Sequence, residues 1–305
     1  MKLLFFPPRK FHPAALYTTE TVKKHRKTLK SMNISSTLIL GAAKFAAMRA
    51  ADYASSQSLR RHDANSATQR DVKHKLDVEC EALARKLLLE AFPGSDILGE
   101  ESCTVFDGPE PPAPKGLQWI IDPIDGTINF FHGYPYWCCS IAARLDGKVV
   151  AGVVYSPEMH LCYEATLDGP ALCNGEPIHV SDISEPGLAT VHTGEDKTLA
   201  DDDYIAFFRD LCNNCQRPRV FGSAALDLCS VAHGRADGYF QTGIYIWDIA
   251  AARLICERAG GKCEKLKHRK GYMMSLLGTN GNETIAAALK ACMPAAILSD
   301  NHQRS

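Results

Sequence analysis

The chain has 305 residues, 46% of them hydrophobic and 23% charged, with a formal net charge of −1. That length and apolar content bury a large core, in one big domain or two closely packed smaller ones, and exclude disorder for the bulk of the chain. The charge is unevenly spread. Residues 1–31 carry Lys2, Arg9, Lys10, Lys23, Lys24, Arg26, Lys27 and Lys30 against Glu20 alone, a +7 leader on a body of −8. An acidic body argues against a nucleic-acid-binding surface and suits a protein that gathers divalent cations.

In chain order, Leu3 to Phe6 is too short an apolar run for a signal peptide before Pro7-Pro8. No uninterrupted apolar segment is long enough to span a bilayer. The leader also lacks the arginine richness and amphipathic helix of an organelle transit segment, so 1–31 reads as a disordered tail, or translation starts at Met32; a cytoplasmic protein is expected. Helical periodicity covers 34–57 and 76–92, the latter with Leu76, Cys80, Leu83, Leu87 and Leu88 on one face. After the Pro93-Gly94 turn, Gly99-Glu100-Glu101-Ser102 places adjacent acids on a loop. Strand signals follow at 117–122, 136–144, 148–155 and 161–165, with Asp146-Gly147 as the hairpin turn between the second and third.

A turn-rich connector at 168–187 leads to helices at 199–213 and 223–234 and a strand at 236–241. A helix opens near Asp248 and runs to Gly260-Gly261, the last helix occupies 283–298, and 299–305 form a tail. The body divides into halves at 32–147 and 148–298. Twelve cysteines in a large chain without a secretory signal read as reduced thiols. Cys212-Asn213-Asn214-Cys215 has no second pair to complete a zinc site, and Cys138-Cys139 looks like strand interior.

The segment Trp119-Ile120-Ile121-Asp122-Pro123-Ile124-Asp125-Gly126-Thr127 is the most informative. Two carboxylates three residues apart stand where a buried strand meets a sharp bend. Clustered carboxylate and carbonyl oxygens suit hard divalent cations, and a Gly-Thr turn opening a helix offers N–H donors to an anion. Asp-Pro and Asp-Gly pairs also form ordinary turns, two adjacent glutamates are commonly a solvated surface, and an Asp at a helix start, such as Asp248, is commonly a cap. Three acidic sites on separate loop or cap positions, each beside apolar structure, favour a shared role.

These residues resemble the inositol monophosphatase family of magnesium-dependent, lithium-sensitive phosphatases. The likeness runs through G-E-E-S at 99–102, W-I-I-D-P-I-D-G-T-I-N-F at 119–130, H-G-Y-P at 132–135, Ser156-Pro157 and the Asn174-Gly175 turn. It continues through Gly222-Ser223-Ala224-Ala225-Leu226-Asp227 and W-D-I-A-A at 247–251. The resemblance implies an α+β, layered αβαβα sandwich and two or three Mg2+ ions. Glu100, Asp122 and the Ile124 carbonyl would hold one ion; Asp122, Asp125 and Asp248 would hold a second. It implies catalytic roles for Asp77, Thr127 and Glu101, with the Thr127 hydroxyl, oriented by Asp77, positioning the attacking water. Gly126, Thr127, Gly222, Ser223, Ala224, Gln241 and Asp248 would bind substrate. The expected partner is a small phosphorylated polyol or sugar, with no nucleic acid and no membrane, and the expected assembly is a homodimer.

The chain departs from the family pattern at three places. Val72-Lys73-His74-Lys75-Leu76 stands where relatives carry a V-T pair ahead of the Asp, and Ser66 stands at the position counted to the loop lysine; both bear on a third metal ion. Gln241 replaces the glutamate seven residues before Asp248. The expected reaction is hydrolysis of myo-inositol monophosphate by metal-activated water. The alternatives are the same chemistry on histidinol phosphate, fructose 1,6-bisphosphate, 3′-phosphoadenosine phosphate or NADP, and a non-catalytic binding or regulatory member.

Overall fold

The computed structural model describes residues 35–67, 72–104, 108–194 and 201–298. The expectations for the leader, the Met32 start and the 299–305 tail lie outside them. Helix α1 (Ser36–Ser56) begins at Ser35, whose hydroxyl accepts from the Thr37 N–H at 3.2 Å. A hairpin of β1 (Ala64–Ala67) and β2 (Val72–His74) leads into α2 (Lys75–Ala91), then β3 (Asp96–Gly99), β4 (Leu117–Asp125) and the short α3 (Thr127–His132). Next come β5 (Cys138–Leu145), β6 (Lys148–Ser156), β7 (Leu161–Thr166), β8 (Leu172–Cys173), β9 (Glu176–Pro177) and β10 (Thr190–Thr193). The rest is α4 (Asp201–Asn214), β11 (Arg217–Arg219), α5 (Ala224–Ala232), β12 (Gly238–Tyr245), α6 (Ile246–Arg258), β13 (Lys262–Lys270), β14 (Met273–Thr279), α7 (Glu283–Cys292) and α8 (Ala295–Leu298).

Strands β3 to β9 form a seven-stranded sheet in sequence order, antiparallel except for β3 beside β4. A five-stranded sheet has the order β11-β10-β12-β14-β13. Helices α1 and α2 cover one face of the first sheet, α5 and α6 fill the space between the sheets, and α4 and α7 cover the outer face of the second. The result is the layered αβαβα sandwich. Three hydrophobic cores lie between the layers, one on both sides of the central helices and one under each outer helical layer.

Layer position explains the residue patterns. Helix α1 presents Ala43, Ala46, Ala47, Ala50, Ala51 and Ala54 inward, small side chains that let it lie close to α2 and the sheet. Strand β4 is buried along its whole length because helices cover both faces, so it reads as a continuous apolar run rather than an alternation. Helix α5 is apolar nearly all round for the same reason. At the hairpin between β5 and β6, Asp146 and Gly147 both adopt positive φ, 48° and 89°, as a type I′ turn requires.

Several boundaries differ from expectation. The strand expected at 136–144 starts at Cys138, after the Pro135 bend. The helix expected at 283–298 is two pieces, because Pro294 lacks the N–H that would continue α7. The first sheet runs through the 147/148 hairpin to Pro177, so the chain changes sheets well beyond the 32–147/148–298 division. Strands β3, β10, β11, β13 and β14 carry no clear signal in the sequence; β13 is an edge strand built of Lys, Glu, Arg and His, which suppresses the apolar alternation.

Gly152 of β6 meets α6 backbone to backbone. A Cβ built there would stand 2.9 Å from both Cα and the carbonyl oxygen of Ala251. Gly152→Ala is therefore expected to cost about 1–3 kcal/mol as overpacking, seen as a lower urea midpoint at unchanged slope. An unchanged midpoint would show that α6 is not seated on the sheet this way.

Candidate functional site

The C-terminal end of β4 brings the acids together. Because β3 runs parallel to β4 with Gly99 beside Ile121, the chain leaves both strands at the same end, and the Glu100 N–H donates to the Ile121 carbonyl at 3.1 Å. Glu100 therefore stands beside Asp122, and its charge helps to raise the Asp122 carboxyl. Asp122 Oδ1 also accepts the Ile124 N–H at 3.1 Å, tightening the bend through Pro123. Asp77 arrives from the first turn of α2 and Asp248 from the first turn of α6.

Burial and mutual repulsion raise these acids. Glu100 is pushed well above the usual carboxylate range, first by desolvation and then by Asp248, Asp77 and Glu101. Asp122 is raised likewise by desolvation, then by Glu100, Asp125 and Asp248. Asp125 is raised to about 6: desolvation outweighs its hydrogen bonds from Ser223 and the Ala225 and Ala224 amides, and Asp227 adds repulsion. Among the described residues, no lysine or arginine pairs with Glu100, Asp122 or Asp125.

Asp125 is held at the start of α5. Ser223 Oγ donates to its Oδ2 at 2.6 Å, the Ala225 N–H to the same oxygen at 2.7 Å, and the Ala224 N–H to Oδ1 at 3.2 Å. Ser223 and Ala224, expected to face substrate, thus direct their donors to a buried carboxylate that needs them. Gly222, with φ +85°, packs against Asn129, whose Nδ2 donates to the Tyr136 and Phe221 carbonyls at 2.8 and 2.7 Å. Gly126, with φ +95°, approaches the Gly222 carbonyl, so the turn after β4 and the turn before α5 lie back to back. Asp248 Oδ2 accepts the Tyr245 N–H at 2.7 Å, the cap that its position predicts.

Three expectations are modified. Thr127 Oγ1 donates to the Ile124 carbonyl at 3.0 Å and makes no hydrogen bond to Asp77, because the left-handed turn at Gly126 folds it back over the strand end. Glu101 anchors its loop through its backbone, its N–H donating to Glu81 Oε2 at 2.8 Å. Gln241 on β12 stands outside the carboxylate group: its Oε1 accepts the Tyr239 hydroxyl at 2.9 Å, and Tyr239 lies in the field of Asp227, Asp125 and Asp248.

Sequence reading gave no role to a supporting network behind Asp125. Asp227 is almost fully buried and bonds through Oδ1 to the Tyr136 hydroxyl at 2.8 Å and to His192 Nδ1 at 3.0 Å. Cys138 Sγ lies 3.7 Å from both Asp125 Oδ2 and Ser223 Oγ. Asp227 closes the G-S-A-A-L-D motif, which was its one sequence signal.

The donor chemistry fits a hard divalent ion, being all carboxylate and carbonyl oxygen with an excess of negative charge. Among the described residues no three Asp, Glu, His or Cys side chains already converge as a finished cage. Asp125 presents both oxygens, and Asp248 its Oδ2, to backbone N–H groups.

A sequence model of the inositol monophosphatase family matches residues 34–296. The chain belongs to the inositol monophosphatase family. It is 36% identical over 208 residues to a putative Nus factor SuhB of Neisseria meningitidis, covering 67% of this chain and 77% of that protein. It is 38% identical over 183 residues to an inositol monophosphatase of Dictyostelium discoideum, covering 58% and 65%. The structure of an inositol monophosphatase from Anabaena superposes with a TM-score of 0.70 at 31% identity, covering 84% of this chain and 96% of that one. Family members thus share this layered fold, and among the described residues no helix is long and apolar enough to cross a membrane.

A carboxylate whose folded-state pKa lies above its ordinary value holds its proton more tightly when folded. For Asp125 this stabilising contribution is complete below its ordinary value of 3.8 and is lost as pH rises through about 6. Glu100 and Asp122 act in the same direction. Metal-free protein is expected to melt higher near pH ~5 than near pH ~7.5, and Asp125→Asn, which cannot titrate, to shrink that difference. Calorimetry in EDTA measures it; a difference of unchanged size in the variant would contradict the assignment to Asp125.

Proposed function

We propose that the protein hydrolyses small phosphate monoesters with magnesium, the phosphorylated compound being a polyol or sugar. The observation that carries this reading is the convergence of Asp77, Glu100, Asp122, Asp125 and Asp248, from separate segments, in a space with no cationic partner for its central three. In this reading Glu100, Asp122 and the Ile124 carbonyl hold one ion, and Asp122, Asp125 and Asp248 a second. Bound magnesium supplies charge neutralisation for the phosphoryl oxygens, an acidified water and stabilisation of the leaving oxygen.

The chain's own groups do the rest. Glu100 and Asp122, both raised by burial, would have to be ionised for the site to load, so occupancy would fall as pH drops. Asp125, on a strand buried on both faces, would hold the ion with the carboxylate that now accepts the Ala224 and Ala225 amides. Backbone N–H groups of Gly126 and Thr127 would orient the phosphate, and Asp77 would orient the Thr127 hydroxyl that positions the attacking water. Thr127 must turn its hydroxyl from the Ile124 carbonyl to reach that water.

Asp125→Asn is expected to keep the fold and lower kcat by at least about 10²–10³-fold, the scale for losing one preorganised charge contact in a dry site. EDTA should abolish turnover, magnesium restore it and lithium inhibit it. Release of inorganic phosphate from inositol 1-phosphate measures all three, and full turnover by the variant or in EDTA would overturn the mechanism. Relatives named Nus factor SuhB give a second reading, a binding or regulatory member without turnover; no phosphate release from any tested monoester would favour it.

Gln241 bears on which monoester is used. A neutral amide in place of a carboxylate loses a charge-assisted contact to ring hydroxyls, worth on the order of 1 kcal/mol. Selectivity among polyol and sugar phosphates is expected to be relaxed to within about tenfold in kcat/KM. Gln241→Glu should raise kcat/KM for inositol 1-phosphate above those for 2-glycerophosphate, histidinol phosphate and fructose 1,6-bisphosphate. Parallel values across all four would remove Gln241 from the substrate site.

A further inference from the structure

A cavity of about 360 Å³ opens where the β5–β6 hairpin, α6 and the second sheet meet. None of Glu100, Asp122, Asp125 and Asp248 lines it. Its size is that of a small-molecule site. Six charged side chains line it, and four of them neutralise one another: Lys265 bonds Glu110 and Arg253 bonds Glu257, at 2.9 and 2.8 Å. Arg144 and Lys148 remain.

Arg144 is the unusual group, since the residue is only 6% exposed and its guanidinium has no carboxylate bonded to it. Its Nε and Nη2 both donate to one neutral oxygen, Gln118 Oε1, the first at 3.0 Å. Burial pushes its pKa down, opposed by the more distant Glu110. A buried guanidinium is ordinarily matched by a carboxylate or phosphate, because its desolvation is otherwise uncompensated. Here the protein supplies only an amide oxygen, and the remaining face of the charge looks into a cavity. The hairpin places Lys148 at the same mouth, while Val149, Leu254 and Met274 give an apolar wall.

We propose that this cavity is a second ligand site, separate from the catalytic carboxylates, for a small organic anion with a phosphate or carboxylate head and an apolar body. The head pairs with Arg144 and Lys148, and the body lies along α6. Arg253 and Lys265 stay with their own glutamates and set the rim.

Two probes that the enzyme cannot hydrolyse test it by calorimetric titration of the full chain in magnesium buffer: phenylphosphonate for a phosphate head and phenylacetate for a carboxylate head. At least one is expected to bind, with the stronger binder identifying the head. Affinity should fall about tenfold or more in Arg144→Met and severalfold in Lys148→Glu, and persist in Asp125→Asn. Lys148 is exposed, so Lys148→Glu leaves the fold intact and decides the matter if Arg144→Met fails to fold. No binding of either probe, equal affinity in Lys148→Glu and wild type, or loss of binding in Asp125→Asn would overturn the proposal.

Discussion

Repulsion among carboxylates confined away from water is the constraint on which the rest of the structure depends. Left to itself such a cluster would scatter into solvent or draw in a lysine, and among the described residues neither is seen at Glu100, Asp122 or Asp125. The acids are carried instead by elements that cannot yield. Asp122 and Asp125 sit at the end of a strand buried on both faces, Glu100 is fixed by the parallel β3–β4 register, and Asp77 and Asp248 lie in helix first turns. The αβαβα layering supplies packing on each side of that strand end, so the cost of bringing like charges together is offset by core burial remote from them.

The charge is also accommodated locally. Burial favours the protonated forms of Glu100 and Asp122, while Asp125 draws on the amides at the start of α5 and Asp248 on the Tyr245 amide. Metal loading in that picture is an exchange of partners, and it releases protons as it proceeds.

Much of this was legible in the sequence because it depends on local chemistry. The apolar run ending in Asp122-Pro123-Ile124-Asp125-Gly126-Thr127 announces a buried strand and a turn, and the Asp146-Gly147 pair names its own hairpin. What escaped was set by contacts between distant segments. Nothing local marks β13 as a strand, since its charged residues answer to an edge position known only once the sheet is assembled. The bond from Ser223 to Asp125 was hidden for a related reason: the two residues are almost a hundred positions apart in the chain. The His192–Asp227–Tyr136 network was hidden in the same way, its members coming from three elements.

The contact between Gly152 and Ala251 has a further meaning. Strand β6 pairs with β5, which pairs with β4, so a bare backbone contact links the sheet carrying Asp122 and Asp125 to the helix carrying Asp248. Where side chains separate two elements, their spacing drifts as those side chains change size during evolution. Here no side chain intervenes on the glycine side, and the separation is fixed by covalent dimensions and van der Waals radii. The two halves of the acidic cluster are therefore gauged against each other by a rigid stop.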